Sequence, residues 1–393
     1  MRDVLYLAWR YLASHRVLTS ILVFALTLII FLPVGLQVLV RQSERELTTR
    51  AAVTPLILGE KGSPLELALN SLYFAADTPS SLPYAACEQV TESGLARAIP
   101  LHTRFRARSQ PIVGTSLDYF MLRGLGVAEG RQLALLGDCV VGATAARKLG
   151  VGVGDHVVSS PENVFDITGV YPLKMPVVGV LARSHTPDDD AVFVDLKTTW
   201  VIEGLGHGHQ DMSRPEAAAG VLKRDGSTVI ANASVVQYNE ITPENVDSFH
   251  FHGDLGEFPI QAVIAVPHDD KASALLRGRY LGGDERVQVI QPLEVMTELL
   301  ATILTVQTYV VTAVIVVGLA TLATAVLVIV LSLRLRRREI ETMFRIGGAR
   351  RRVLAVLATE IIAVLVLSVL AAGLLTGLTA AYGSVLIRTL ILG

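Results

Sequence analysis

The sequence predicts an α-helical membrane domain joined to a large water-exposed α+β domain, and three observations support this. Of 393 residues, 51% are hydrophobic and only 18% charged, with mean hydropathy +0.49, which is too apolar for an ordinary soluble protein. Three uncharged runs, Val17–Val40, Thr308–Leu333 and Ile361–Ile387, each reach the roughly 20 residues that a spanning helix needs. Between the last two lies a basic patch, with arginines at 334, 336, 337, 338, 345, 350, 351 and 352 against Glu339, Glu341 and Glu360. Positive charge near span ends resists translocation, so this short segment belongs inside the cell. Arg2, Arg10, His15 and Arg16 place the N-terminus inside as well, which leaves residues 41–300 outside.

Taken in order, residues 1–16 put Val4, Leu5, Leu7, Ala8, Tyr11 and Leu12 on one helical face, as suits an amphipathic helix on the cytoplasmic membrane surface. Residues 17–40 form the first span. Their apolar stretch is longer than a signal peptide's and no small-x-small cleavage site follows, so they read as an uncleaved anchor, bent near Pro33 and Gly35. The alternating charges of residues 41–50 predict a helical stalk, and Val53–Leu58 a strand. Ser63, Pro64 and Glu66 mark a capped helix start. Lys61 precedes Gly62 and Ser63, the reverse of a phosphate-binding Gly-Lys-Ser order, so any ATP hydrolysis must come from another chain.

Residues 95–200 read as a β-rich subdomain: strands at Pro111–Gly114, Cys139–Gly142, His156–Val158, Asp166–Val170, Pro176–Leu181 and Ala191–Asp195, with a helix at Ala143–Leu149. Asp188, Asp189 and Asp190 after Pro187 read as a solvated turn. An α/β subdomain follows, with strand Ile260–Val266, a helix at Lys271–Leu281 and strand Val287–Ile290. From Leu293 one helical pattern runs to about Arg338, about 70 Å at the helical rise, and includes the second span at 301–333. Residues 334–353 are cytoplasmic, 354–387 the third span and 388–393 an outer end; 353–393 leaves little room for two cramped spans instead.

The candidate sites are few. His207 with His209, and His250 with His252, are two H-x-H pairs that can bind zinc or copper if their loops meet, or are ordinary residents of polar loops. Cys87 and Cys139 both lie in the external region, as a disulfide or as two buried thiols. Glu360, at the inner end of the third span, can cap its helix, pair with a nearby Arg or face a partner span. Gly373 and Gly377 form a G-x-x-x-G step suited to span–span contact, including across a dimer. No Ser/His/Asp, paired-carboxylate or Cys/His constellation assembles, so the chain reads as non-catalytic with no cofactor of its own. Its net charge of −2, with basic residues crowded near the span ends and acidic ones spread through the middle, argues for the lipid bilayer and against nucleic acid as partner.

The stretch Arg337-Arg-Glu-Ile-Glu-Thr-Met-Phe-Arg-Ile-Gly-Gly-Ala-Arg-Arg-Arg-Val-Leu, followed by Glu360, Gly373 and Gly377, resembles the signature of ABC transporter permeases of the MacB/LolC/FtsX, or mechanotransmission, type. External Ile112–Ser116, Gly130-Arg131, Val140–Ala145 and Leu149–Asp155 are similar to that family's periplasmic core, and Leu7–Leu12 to its opening. The resemblance implies a bacterial inner-membrane permease with a periplasmic domain, working as a homodimer with two copies of an ATPase chain that binds ATP and Mg, and with a periplasmic adaptor or substrate-binding protein. It also implies a coupling helix that docks on the ATPase, placed at Glu339, Ile340, Met343, Phe344, Arg345, Ile346, Gly347 and Gly348. Ile340, Met343, Phe344 and Ile346 are apolar anchors in a charged segment, and Gly347-Gly348 is a natural helix stop. The same arginines would also serve a loop that only orients the membrane domain. The family usually has four spans, whereas three are expected here. An FtsX-like signalling role toward a periplasmic hydrolase and a membrane-anchored metal-responsive protein are the alternatives to transport of a lipoprotein, lipid or amphiphile.

Overall fold

The computed structural model describes residues 2–75, 79–160, 172–208, 221–225, 228–231, 239–281, 286–335, 341–342, 345 and 350–391. They divide into two units, Met1–Thr48 with Glu298–Ile391, and Thr49–Thr297.

The first unit is helical. A short helix, Arg2–Ser14, precedes Arg16–Ala52, in which the apolar run and the charged stalk form one 37-residue element that continues through Pro33. Two further helices, Pro292–Leu335 and Arg350–Ile391, hold the other apolar runs. Among the described residues two helices are long and apolar enough to cross a membrane, Thr19–Gln42 and Leu354–Gly383, while the stretch Thr308–Thr324 is shorter. The side chains of 325, 328–329 and 331–333, which would complete the expected run, lie outside the described residues. Arg350–Ile391 is unbroken for 42 residues, so no second hairpin divides it.

Small polar side chains join the first and last long helices. The Ser368 hydroxyl donates to the Val23 carbonyl at 3.3 Å, Thr27 Oγ1 donates to the Ser368 carbonyl at 3.4 Å, and Gln42 Nε2 to the Ala380 carbonyl at 2.7 Å. Partners advance together along both sequences, so the two helices run parallel. Ala372 and Val364 are buried beside Ser368, as small-residue packing between apolar helices requires.

The second unit is built on one eleven-stranded sheet. Its order is Val287–Ile290, Leu56–Glu60, Ala262–Pro267, Ala96–His102, Gln110–Thr115, Val192–Asp195, Cys139–Val141, Lys174–Leu181 and Val127–Gly130, with Arg106–Ala107 and His156–Val158 attached at its side. Pairing is antiparallel except between Gln110–Thr115 and Val192–Asp195, and between Cys139–Val141 and Lys174–Leu181. The two expected subdomains are therefore halves of a single sheet, stitched by the pairing of Ala262–Pro267 with Ala96–His102. The register Ile57↔Ile264↔Ile99 runs across the join, and such long-range pairing leaves no local trace in sequence. Two apolar clusters flank the sheet, one around Ile112, Val141, Val177 and Val194, the other around Leu56, Leu58, Val263 and Trp200.

Local expectations survive at this level. The helix Ala143–Leu149 forms as read, and Ser63 Oγ accepts the Glu66 backbone N–H at 3.2 Å to start the helix Pro64–Tyr73. The strand expected at Asp166–Val170 lies outside the described residues. Cys87 and Cys139 are both free and buried, so the disulfide alternative is ruled out for this fold. Burial pushes the Cys87 thiol up to about 12, and the Cys139 thiol is raised by the same cause.

Candidate functional site

Three places in the chain gather chemistry. The first sits where the helix Arg16–Ala52 ends. Arg50 occupies its last turn, where a cation complements the helix dipole, yet its side chain is 7% exposed. Its guanidinium grips Asp188 through both oxygens, Nη1 to Oδ2 at 2.6 Å and Nη2 to Oδ1 at 2.8 Å, while Nη2 also reaches Tyr119 Oη at 2.7 Å. The Tyr119 hydroxyl in turn donates to Asp188 Oδ1 at 2.7 Å, and the Phe74 ring lies 5.7 Å from the guanidinium carbon. Arg123 closes the group by donating to Thr54 Oγ1 at 2.9 Å and lying over the Tyr119 ring.

Burial by itself would raise the Asp188 carboxyl, but the Arg50 charge and hydrogen bonds, with Tyr119 and Arg123, outweigh it and hold the group below the usual carboxylate range. Burial pushes the Tyr119 phenol up, so it stays a neutral donor.

This overturns the reading of Asp188–Asp190 as a solvated turn. Asp188 and Asp189 are 1% and 3% exposed in a short 3-10 helix, Pro187–Asp190. Asp189 accepts from Ser184 N and Oγ and from His185 N, each at 2.8 Å, and Asp190, the least buried of the three, meets the exposed Lys148 at 2.8 Å. The signal was present in Thr186-Pro187: Thr186 Oγ1 accepts the Asp188 N–H and Pro187 fills the first helical position. Arg50 gave no such signal, since it closes a charge-alternating segment that looks exposed.

The second place is a two-stranded ribbon in which Gly206–Gly208 pairs antiparallel with Phe249–Phe251. His207 stands opposite His250, and His252 follows two residues on, so period-two alternation puts all three imidazoles on one face. Their ring centroids are 4.9, 4.9 and 4.7 Å apart. The opposite face carries Phe249 and Phe251, whose rings lie across the strand over Gly208 and Gly206; a Cβ at either glycine would run into the ring. His209 lies outside the described residues.

The third place is the basic segment after Leu335. Of the expected docking residues, Glu339, Ile340, Met343, Phe344, Ile346, Gly347 and Gly348 lie outside the described residues; Arg345 is exposed and faces Glu341 at 3.5 Å. Glu360 lies ten residues inside Arg350–Ile391 and is 9% exposed, so it does not cap that helix. A Cβ added at Gly373 or Gly377 would meet no atom, and within the chain the contact runs through Ser368 and Gly383 instead.

Residues 19–247 match the family described as MacB-like periplasmic core domain. No curated protein matches the chain. Among solved structures, the periplasmic region of MacB from Actinobacillus actinomycetemcomitans is similar at 10% identity over 66% of this chain and 97% of that one, with a TM-score of 0.34. The extracellular domain of the noncanonic ABC-type transporter YknZ from Gram-positive bacteria is 13% identical over 60% of this chain and 98% of that one, with a TM-score of 0.32. A domain of a putative permease protein from Porphyromonas gingivalis is 14% identical over 55% and 77%, with a TM-score of 0.24.

Proposed function

The chain belongs to the MacB-like, FtsX-like family of ABC transporter permeases, and from that premise we propose that it is the membrane subunit through which a separate ATPase chain moves a periplasmic domain. The observation that carries the reading is the extent of the match, which takes in the apolar helix Thr19–Gln42 and most of the sheet of the second unit together. An isolated periplasmic module would not need the first, nor a simple membrane anchor the second. The subunit is non-catalytic, sits in a bacterial inner membrane with its N-terminus inside, and works as a homodimer with two ATPase copies.

Three spans, including one within Pro292–Leu335, fit the three apolar runs of the sequence. Three spans per chain make a poor through-channel. The cargo is therefore a molecule already outside the membrane core, a lipoprotein, lipid or amphiphile, taken up with the help of a periplasmic adaptor.

In the sequence, Ile340, Met343, Phe344 and Ile346 supply the apolar grip for the ATPase and Gly347-Gly348 the stop behind it. The test is a pull-down of the tagged chain from native membranes in mild detergent. An ATPase chain is expected to come with the wild type and to be lost from Met343→Asp/Phe344→Asp, although both versions reach the membrane. Recovery of the wild type without an ATPase, or of the variant with it, would sink this reading.

A further inference from the structure

We propose that His207, His250 and His252 form a binding site for a divalent transition-metal ion of the zinc class. One candidate ligand nitrogen from each residue lies within 4.8 Å of the others. A tetrahedral ion with bonds of about 2.0–2.1 Å needs its nitrogens about 3.4 Å apart, a gap that small ring rotations close. Three ligands from the protein leave a fourth position for water or another donor. His252 is exposed, so an ion can enter without opening the fold.

The arrangement is built rather than incidental, because the backbone fixes it from behind. Phe249 and Phe251 hold the ribbon to the two apolar clusters of the second unit. Trp200 stacks edge-on against Phe251 with centroids 6.4 Å apart. Gly206 and Gly208 admit the phenyl rings and thereby set the register. A one-residue slip would send the histidines to the opposite face.

His250 adds a second observation. Its Nδ1 is 3.0 Å from the Ser248 carbonyl, which can only accept, so Nδ1 carries the hydrogen and Nε2 the lone pair. Metal-bound histidines are commonly oriented by such an outer bond from the other ring nitrogen.

The donor set selects the ion. Three imidazoles, with no carboxylate or thiolate grouped with them among the described residues, suit Zn²⁺, Cu²⁺ or Ni²⁺ and not Ca²⁺ or Mg²⁺, which demand oxygen. Cys87 and Cys139 are buried in other elements and supply no sulfur. A bound ion would pin together the strands at either end of residues 209–248. The inference stands apart from the transport reading and does not depend on it.

The test uses the full chain in detergent, without a polyhistidine tag, stripped with chelator and titrated with Zn²⁺ against a chromophoric competitor. The wild type is expected to bind one ion per chain and to melt at higher temperature with zinc than without. His207→Gln and His252→Gln should each weaken binding at least tenfold. The triple Gln variant should abolish both binding and the zinc-dependent shift, while His156→Ala, at the Glu240 ion pair, changes neither. Metal-free melting of each variant reports whether it folds. If the triple variant fails to fold, the exposed single variant His252→Gln decides. No saturable binding by the wild type at micromolar zinc would overturn the proposal, as would binding that survives in the triple variant or that His252→Gln weakens less than tenfold.

Discussion

Arg50 and Asp188 are separated by 138 residues in sequence and meet in a pocket that admits almost no water. An ion pair in such a place contributes little to net stability, because desolvation offsets most of the attraction. Breaking it is another matter, since one buried charge is left unmatched. Arg50→Ala is expected to cost about 3–5 kcal/mol, which lowers the melting temperature of a unit this size by roughly 10 °C. The paired replacement Arg50→Met/Asp188→Leu should recover much of that loss, and thermal unfolding of the full chain in detergent reads both.

Acid should act on the same carboxylate. The folded Asp188 carboxyl lies below its unfolded value of about 3.9. Its stabilisation is thus fully present above that value and is lost as pH falls through the folded pKa. Melting temperature against pH should therefore fall less steeply below about pH 4 in Asp188→Asn than in the wild type. Identical slopes would show that the carboxylate is not held as described. Thr186-Pro187 marked the short helix, but its burial was not legible in the sequence, because three consecutive aspartates after a proline carry the pattern of a wet turn. What buries them is Arg50, which no local rule connects to residue 188.

At the scale of elements, sequence and structure agree where the signal is local. Ser63 caps its helix through the Glu66 N–H three residues on, and Ala143–Leu149 forms between Gly142 and Gly150, so both helices are bounded by neighbours in sequence. The parallel pairing of Gln110–Thr115 with Val192–Asp195 and the join of Ala262–Pro267 to Ala96–His102 bring together distant segments, and period-two patterns are silent about partners. The histidine ribbon falls between these cases. Two H-x-H spacings marked its candidates, but only the pairing of His207 with His250 brings the two loops together.

The helix Pro292–Leu335 belongs to this scale as well. Its 44 residues extend about 66 Å at the helical rise. If unbroken helical backbone carries the motion, a proline at an exposed position in its first half should uncouple the machine without dismantling it. Ala301→Pro removes one backbone hydrogen bond and costs about 3 kcal/mol locally. The variant is expected to keep its ATPase in a pull-down and to lose any nucleotide-driven change outside the membrane. Retention of that change would show that the helix is not the transmitting part.

At the scale of the whole molecule, the family assignment joins an apolar helical unit, whose packing uses hydroxyls and small residues, to an external sheet with no catalytic constellation among the described residues. The central claim is that ATP hydrolysis in another chain becomes movement of that sheet. Leu281 is 82% exposed on the external unit, and the native thiols are buried with raised pKa values, so a spin label on Leu281→Cys reacts selectively. Dipolar distances between the two labelled copies, with the ATPase in lipid nanodiscs, test the claim most directly. The account predicts a distance distribution that shifts between the nucleotide-free state and the state trapped with ATP by a hydrolysis-deficient ATPase. A distribution that nucleotide leaves unmoved would contradict it.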